Sequence, residues 1–161
     1  MINHDIDPAW LNDRSEFQQN WVHGLRNPSG LHLQYELDGS LVFTHWTPGD
    51  DHAGFPGFAH GGIISAVLDD VMGRCSALHR HWVVTGRLEV RFRRAAPIGT
   101  RLRVEGRITR LMRRALHTEG RVLLPDGGIV AEATGTYLPL SDELRQQMVA
   151  AWPGFEEFLE G

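Results

Sequence analysis

The chain has 161 residues, 42% of them hydrophobic, enough for one compact core and short for two, so a single globular domain is expected. Its one cysteine, Cys75, excludes a disulfide framework, the opening "MINHDIDPAW" has neither the basic nor the apolar region of a signal peptide, and no stretch approaches the roughly 18 apolar residues of a membrane span; a reducing, cytoplasmic setting is expected. The net charge of -4 hides an asymmetry: between Arg80 and Arg121, 12 Arg face only Glu89, Glu105 and Glu119, a balance of +9, so the rest of the chain carries -13. All 16 basic residues are Arg, the side chain suited to bidentate phosphate contacts. Each Arg taken singly reads as a solvated strand face, whereas the continuous run points to a phosphate-bearing partner.

In chain order, Asp7 before Pro8 reads as an N-cap and first helical position, giving a short peripheral helix from Pro8 to about Val22. "GLHLQYELDGSLVFTHW" holds two alternating runs around Asp38-Gly39, a hairpin signature. Thr47 to Gly57, "TPGDDHAGFPG", is dense in Gly, Pro and Asp and reads as a loop. Gly62 to about Leu78 is too long and apolar for a strand and has no Pro, so it reads as a mostly buried helix. Four strand-like runs follow, roughly Trp82 to Arg94, Thr100 to Met112, Arg114 to Leu124 and Gly128 to Leu138. In the first, Leu88, Val90 and Phe92 take one face and Arg87, Glu89, Arg91 and Arg93 the other. "SDELRQQMVAAW" opens a helical tail over 141–161. The order predicts an α+β domain over 1–161: a six-stranded antiparallel sheet wrapped around one long helix, with a peripheral helical segment within 1–26.

"AHGGIISAVLDDVMG" carries the chemistry. On a helical wheel Ile64, Val67, Val71 and Leu78 share one face, and Gly62, Ser65, Asp69, Gly73 and Ser76 the opposite one. Asp69 thus sits in a stripe of small residues, which admits another backbone or a ligand and shields the carboxylate from bulk water. Such a carboxylate either pairs with an Arg or a neighbouring backbone, or acts as base or nucleophile; the second reading is favoured. Asp70, about 100° away, reads as an ordinary partner of an Arg. His60 reads equally as a cap or as part of a site. Gly61 and Gly62 read as a turn, or as exposed helix-start N–H groups that suit an oxyanion. Gly61 and Asp69 are eight residues apart, about 12 Å along one helix at 1.5 Å per residue. One small reacting group cannot touch both in one chain, so a site using both needs two copies, the helices meeting antiparallel across the small-residue stripe.

These residues resemble the hotdog-fold acyl-CoA thioesterases of the PaaI type, related to 4-hydroxybenzoyl-CoA thioesterase. The resemblance runs from "NPSGLHLQYELDGSLVFTHWTPG" through "HAGFPGFAHGGIISAVLDDVMG" to "VVTGRLEVRFRRAAPIGTRLRVEGRITRLMRRALHTEGRVLLPDGGIVAEATGTYLPL", and its most specific part is His-Gly-Gly with an acidic residue nine positions after the histidine, Asp69. It implies that the Gly61 N–H, with His60 and Gly62 beside it, polarises the thioester carbonyl. It further implies that Asp69 of a partner subunit is general base or nucleophile, and that Thr85 assists the water or the carboxylate. The turn from Arg110 to Ala115 matches where relatives hold the coenzyme A nucleotide, making Arg110, Arg113 and Arg114 the phosphate candidates. Relatives carry an Asn where this chain has Gly54, for which His52 is the candidate substitute. The Cys-x-x-Cys-Gly stretch seen before the hairpin in many relatives is missing from "NWVHGLRNP". No metal site is expected, and no cofactor beyond the coenzyme A of the substrate.

Two other readings stay open: a non-catalytic acyl-CoA-binding or sensing protein, which needs no base, and a hotdog hydratase or dehydratase suggested by "HAGFPG" with His52 as base. Nucleic-acid and membrane partners are not expected, because no DNA-binding helix pair is present. Phe55, Phe58, Trp82 and Met72 are candidates for the acyl pocket; acyl identity, and whether dimers pair into tetramers, are not legible.

Overall fold

The computed structural model describes residues 11–12, 18–79 and 81–156. A first hairpin joins β1 (Glu36–Asp38) to β2 (Leu41–Trp46), with Asp38 opposite Leu41 and Gly39 at φ +60°, the left-handed turn conformation that glycine adopts without strain. The Gly/Pro/Asp-rich segment expected to be a loop is more ordered than that. It contains a 3-10 turn, Asp50–His52, and β3 (Ala53–Phe55), which pairs with β4 (Phe58–Ala59). The long helix α1 (Gly61–Arg74) follows, one residue earlier than expected, and tightens into a 3-10 turn over Cys75–His79. β5 (Val83–Phe92), β6 (Leu102–Met112), β7 (Ala115–Leu123) and β8 (Ile129–Pro139) match the four predicted strands. α2 (Asp142–Ala151) closes the described part, the Ser141 hydroxyl accepting the Leu144 N–H at 3.1 Å. The expected N-terminal helix lies mostly outside the described residues, and its described end, Gln18–Val22, is coil and turn.

The six-stranded sheet is antiparallel throughout, in the order β1-β2-β6-β7-β8-β5, and α1 lies across its concave face. Ile64, Val67, Leu68, Val71 and Met72 form the buried stripe of α1. Strand register explains how the helix comes so close. Val42, Gly106, Gly120, Ala133 and Val90 are successive cross-strand neighbours, so the sheet presents a transverse row of small residues beneath the helix. A Cβ at Gly106 would stand 3.3 Å from the Met72 Cα and the Val71 carbonyl oxygen, and one at Gly120 only 2.9 Å from the Met72 Cγ.

The outer face is a lattice of Arg–carboxylate pairs. Arg87 and Arg91 hold Glu89, Arg93 holds Glu132, and Arg107 holds Glu119. Exposed pairs of this kind are worth about 0–1 kcal/mol each. Glu105 differs, because its side chain is only 6% exposed beneath Arg103 and Arg121. Burial works to raise its pKa, but hydrogen bonds and charge from Arg103 and Arg121 outweigh that and hold it below the ordinary value.

Two predictions follow from this packing. Gly106→Val should destabilise the fold by about 1–3 kcal/mol in urea unfolding, since its new methyl groups meet helix backbone that cannot swing aside; an unchanged midpoint would show the contact to be slack. A carboxylate with a depressed folded pKa stabilises above its unfolded value, and that contribution is lost as pH falls through the folded one. The thermal midpoint should therefore hold from neutral pH and fall below about pH 4, and Glu105→Gln should weaken that acid dependence while lowering stability at pH 7.

Candidate active site

Two histidines build the start of α1. His60 is the N-cap, its extended backbone (φ -66°, ψ 133°) turning the chain into the helix while its Nδ1 accepts the Gly62 N–H at 2.8 Å. Its own N–H donates to the His52 carbonyl at 2.8 Å, and the His52 Nδ1 accepts the Gly49 N–H at 3.0 Å. Both rings are thus occupied in closing turns, and the Gly62 N–H is spent on the cap. The Gly61 N–H has no partner among the described residues, while its carbonyl accepts the Ser65 hydroxyl at 2.9 Å. Gly54 is explained sterically: a Cβ there would stand 2.9 Å from the His60 Cα, so no longer side chain fits without displacing the cap.

Asp69 lies two turns further on. The Thr85 hydroxyl donates to Oδ1 at 2.9 Å and reaches Oδ2 at 3.1 Å, and the Tyr137 hydroxyl lies 2.9 Å from both Oδ1 and the Asp69 carbonyl oxygen. Thr85 and Tyr137 are direct neighbours across β5 and β8. Burial, then the charge of Asp69, push the Tyr137 hydroxyl far above its ordinary pKa, so it stays a donor. Its ring fits because two glycines make room. A Cβ would stand 3.5 Å from it at Gly73 and 2.6 Å from it at Gly135.

Thr85 reaches Asp69 only because β5 is irregular. Strict alternation would put Thr85 on the face of Arg87 and Glu89. The register with β8 shifts between Thr85 and Arg87, leaving Gly86 as the extra residue of a bulge, so Thr85 shares the helix-facing side with Leu88 and Val90.

Asp70 anchors a second cluster. It accepts from the Tyr35 hydroxyl at 2.5 Å and from His23 Nδ1 at 2.9 Å, with Arg74 Nε at 4.0 Å, so the expected Arg pairing is the longest of its contacts. The other His23 nitrogen, Nε2, faces the Arg74 guanidinium, which can only donate, so the ring accepts there and donates to Asp70. Burial works to raise the Asp70 pKa; His23, Arg74 and Tyr35 outweigh it and hold the carboxyl below its ordinary value.

Both clusters line one cavity of about 380 Å³, Asp69, Thr85 and Tyr137 from one and His23, Asp70 and Arg74 from the other. Trp82 also lines it. Phe55 and Phe58 are exposed on β3 and β4, near the Gly61 end, and Met72 is fully buried against the sheet, so the expectation that Met72 faces the acyl group is corrected. Cys75 is buried too, its thiol pushed up to about 12 by burial, which leaves it no nucleophile.

The basic segment divides sharply. Arg87, Arg91, Arg93, Arg94, Arg103, Arg107 and Arg121 are paired with carboxylates, which narrows the phosphate reading of the whole run. Arg80 lies outside the described residues. Arg101, Arg110, Arg113 and Arg114 are left without a carboxylate partner among the described residues. Arg113 and Arg114 form the β6–β7 turn, at the sheet end where Leu116 neighbours Tyr137. Among the described residues no group of three or more His, Cys, Asp or Glu is placed to hold a metal ion, and no helix is long and apolar enough to cross a membrane.

The sequence reading missed Tyr137 and the partners of Asp70. The alternation of β8 puts Ala131, Ala133, Gly135 and Tyr137 on the helix side, and a tyrosine among such small inward residues is the signal that was available.

A sequence model described as the thioesterase superfamily matches residues 56–131. No curated protein matches the chain. Among solved structures, a thioesterase superfamily protein superposes with a TM-score of 0.71 at 25% identity over 75% of this chain and 60% of its own, so this chain spans only three fifths of that relative. A hypothetical thioesterase from Streptococcus pneumoniae TIGR4, solved with coenzyme A, gives 0.64 at 18% identity, covering 68% and 89%. Two further structures of that protein carry alanine for an aspartate and for a threonine sixteen positions apart. The E. coli PaaI protein of the phenylacetic acid degradation operon gives 0.64 at 13%, covering 69% and 81%. Sheet order and central helix are those of the hotdog fold, and the match over residues 56–131 bears out the resemblance to the thioesterase superfamily.

The glycine contacts around Tyr137 make a prediction about this geometry. Gly135→Ala should rotate the Tyr137 ring off Asp69, visible as a changed tyrosine signal in near-ultraviolet circular dichroism with the far-ultraviolet spectrum retained. An unchanged near-ultraviolet spectrum would show that the ring has room to spare.

Proposed function

We propose that this chain is an acyl-CoA thioesterase, hydrolysing an acyl-CoA to the free acid and coenzyme A. The observation that carries the reading is the Asp69 carboxylate, held by the Thr85 and Tyr137 hydroxyls on the wall of a cavity. Oδ1 takes the Tyr137 hydroxyl and the shorter Thr85 contact, while Oδ2 meets only Thr85 at 3.1 Å, so Oδ2 is the less engaged oxygen and the one that meets water or the thioester carbon. Asp69 takes a proton from water as the water oxygen bonds to the carbonyl carbon, or Oδ2 itself attacks and water then hydrolyses the anhydride. In either course the carbon–sulfur bond breaks and the coenzyme A sulfur leaves as thiol once protonated. The streptococcal relative, solved with coenzyme A and altered at an aspartate and a threonine with the spacing of Asp69 and Thr85, supports the assignment.

The developing oxyanion needs a donor, and the Gly61 N–H is the unspent one at a helix N-terminus. It stands about 12 Å along α1 from Asp69, so the donor comes from a second copy of the chain. Two features support that partner: β5 is an edge strand, and Phe55, Phe58 and Phe92 are exposed near Gly61. Arg110, Arg113 and Arg114, without a carboxylate partner among the described residues, are the proposed phosphate contacts for coenzyme A. His52 spends its Nδ1 on its turn and does not line the cavity beside Asp69, which counts against the dehydratase reading.

The test is thiol release from a panel of acyl-CoA substrates. Asp69→Asn should lower kcat on the order of 10²-fold or more at retained thermal midpoint, and Tyr137→Phe should lower kcat with KM held, at a somewhat lower midpoint because its hydroxyl also holds the helix backbone. No release from any substrate, with acyl-CoA binding both native protein and Asp69→Asn equally, would make the protein a binder instead.

A further inference from the structure

The cavity beside Asp69 is polar at its far side as well as its near side, and hydrolysis uses only the near one. Arg74 is five residues beyond Asp69 on the same helix, about 7.5 Å along its axis at 1.5 Å per residue, the span of a short acyl chain. Its guanidinium is 14% exposed and lines the cavity. One terminal nitrogen meets His23 and Nε lies 4.0 Å from Asp70, while the other terminal nitrogen has no partner among the described residues. An alkyl chain filling the cavity would strip water from those N–H groups and give nothing back, which is the costly arrangement for a buried donor.

Charge narrows the choice. Among the charged residues lining the cavity are two carboxylates, Asp69 and Asp70, and one guanidinium, Arg74, so the lining already carries an excess negative charge. A terminal carboxylate would add to that excess, whereas a hydroxyl or carbonyl oxygen accepts from Arg74 without it. The geometry points to an acyl group whose far end carries a neutral oxygen acceptor, read by Arg74, with His23 and Asp70 holding the guanidinium in place. This rests on the proposed thioester hydrolysis and names the substrate class for the same site. Arg74 is then a specificity-determining residue, and the small residues Gly73 and Ala77 beside it leave the room that the acyl chain occupies.

Three matched six-carbon substrates test it: hexanoyl-CoA, 6-hydroxyhexanoyl-CoA and adipyl-CoA, ending in methyl, hydroxyl and carboxylate. The native protein should favour the hydroxyl over the methyl by on the order of 10-fold or more in kcat/KM, with the carboxylate below the hydroxyl. Arg74→Gln should bring the hydroxyl-to-methyl ratio close to unity. If that variant does not fold, Asp70→Asn combined with Arg74→Gln, which removes both charges together, carries the comparison. Equal turnover of hexanoyl- and 6-hydroxyhexanoyl-CoA by the native protein, a preference that survives removal of Arg74, or adipyl-CoA as the best substrate would each overturn the inference while leaving hydrolysis standing. If no acyl-CoA is cleaved, the proposed function fails instead. Calorimetry then decides the inference separately: 6-hydroxyhexanoate should bind more tightly than hexanoate, and equal affinities would overturn it.

Discussion

The site depends on how closely α1 lies on the sheet. A helix carrying Leu, Met and Val on its inner face would ordinarily stand off by the length of those side chains. Here Gly106 and Gly120 sit opposite one another beneath Met72, and Ala133 continues the row on the next strand. That closeness lets a tyrosine on β8 reach both the backbone and the carboxylate of Asp69. The hydroxyl fixes the carboxylate where it also fixes the helix, so the geometry of the candidate site and helix seating rest on one contact. A sheet row of larger residues would lift the helix and separate Asp69 from Tyr137 and Thr85 together.

The two ends of α1 divide the work. At its start, His60 and His52 each spend Nδ1 on closing a turn, and one backbone donor, at Gly61, has no partner among the described residues. Towards its other end, Asp69 and Asp70 point to separate clusters that line one cavity. Adjacent carboxylates about 100° apart on a helix can serve different purposes because different strands and loops meet each one. Asp69 is met only by two neutral hydroxyls, with Oδ2 the less engaged of its oxygens. Asp70 is met by histidine, tyrosine and arginine and is saturated.

Much of the fold was legible because its patterns are local. The four alternating runs after the helix, the Asp38-Gly39 turn and the apolar stripe of α1 are set by neighbours in sequence, and the strands fall within two or three residues of where alternation puts them. The candidate site was legible in part. Asp69 stood out as a charge in a small-residue stripe, and the glycines after His60 as a helix start. Thr85 was not visible by periodicity, because the Gly86 bulge reverses the phase of β5 and a bulge is fixed by pairing with β8. Tyr137, Tyr35 and His23 reach α1 from 35 to 68 residues away in sequence, a relation that no local pattern encodes. The Arg run misled in part for the same reason: Glu89 and Glu105 inside it each meet two Arg, and Glu132, Asp126 and Asp38 are brought to it from outside by the sheet.

The central claim is that one copy supplies Asp69 and another supplies the Gly61 N–H to a single thioester. Gly61→Pro removes that donor at the first helical position, where proline is tolerated, and His60 already has the extended backbone that precedes a proline. The decisive measurement is thioester hydrolysis by Gly61→Pro and Asp69→Asn proteins, each alone and then unfolded and refolded together. The account predicts two inactive proteins whose mixture recovers about a quarter of native activity, since half the dimers are mixed and each mixed dimer holds one intact site. A mixture as inactive as its parts, with mixed dimers shown to form, would contradict it.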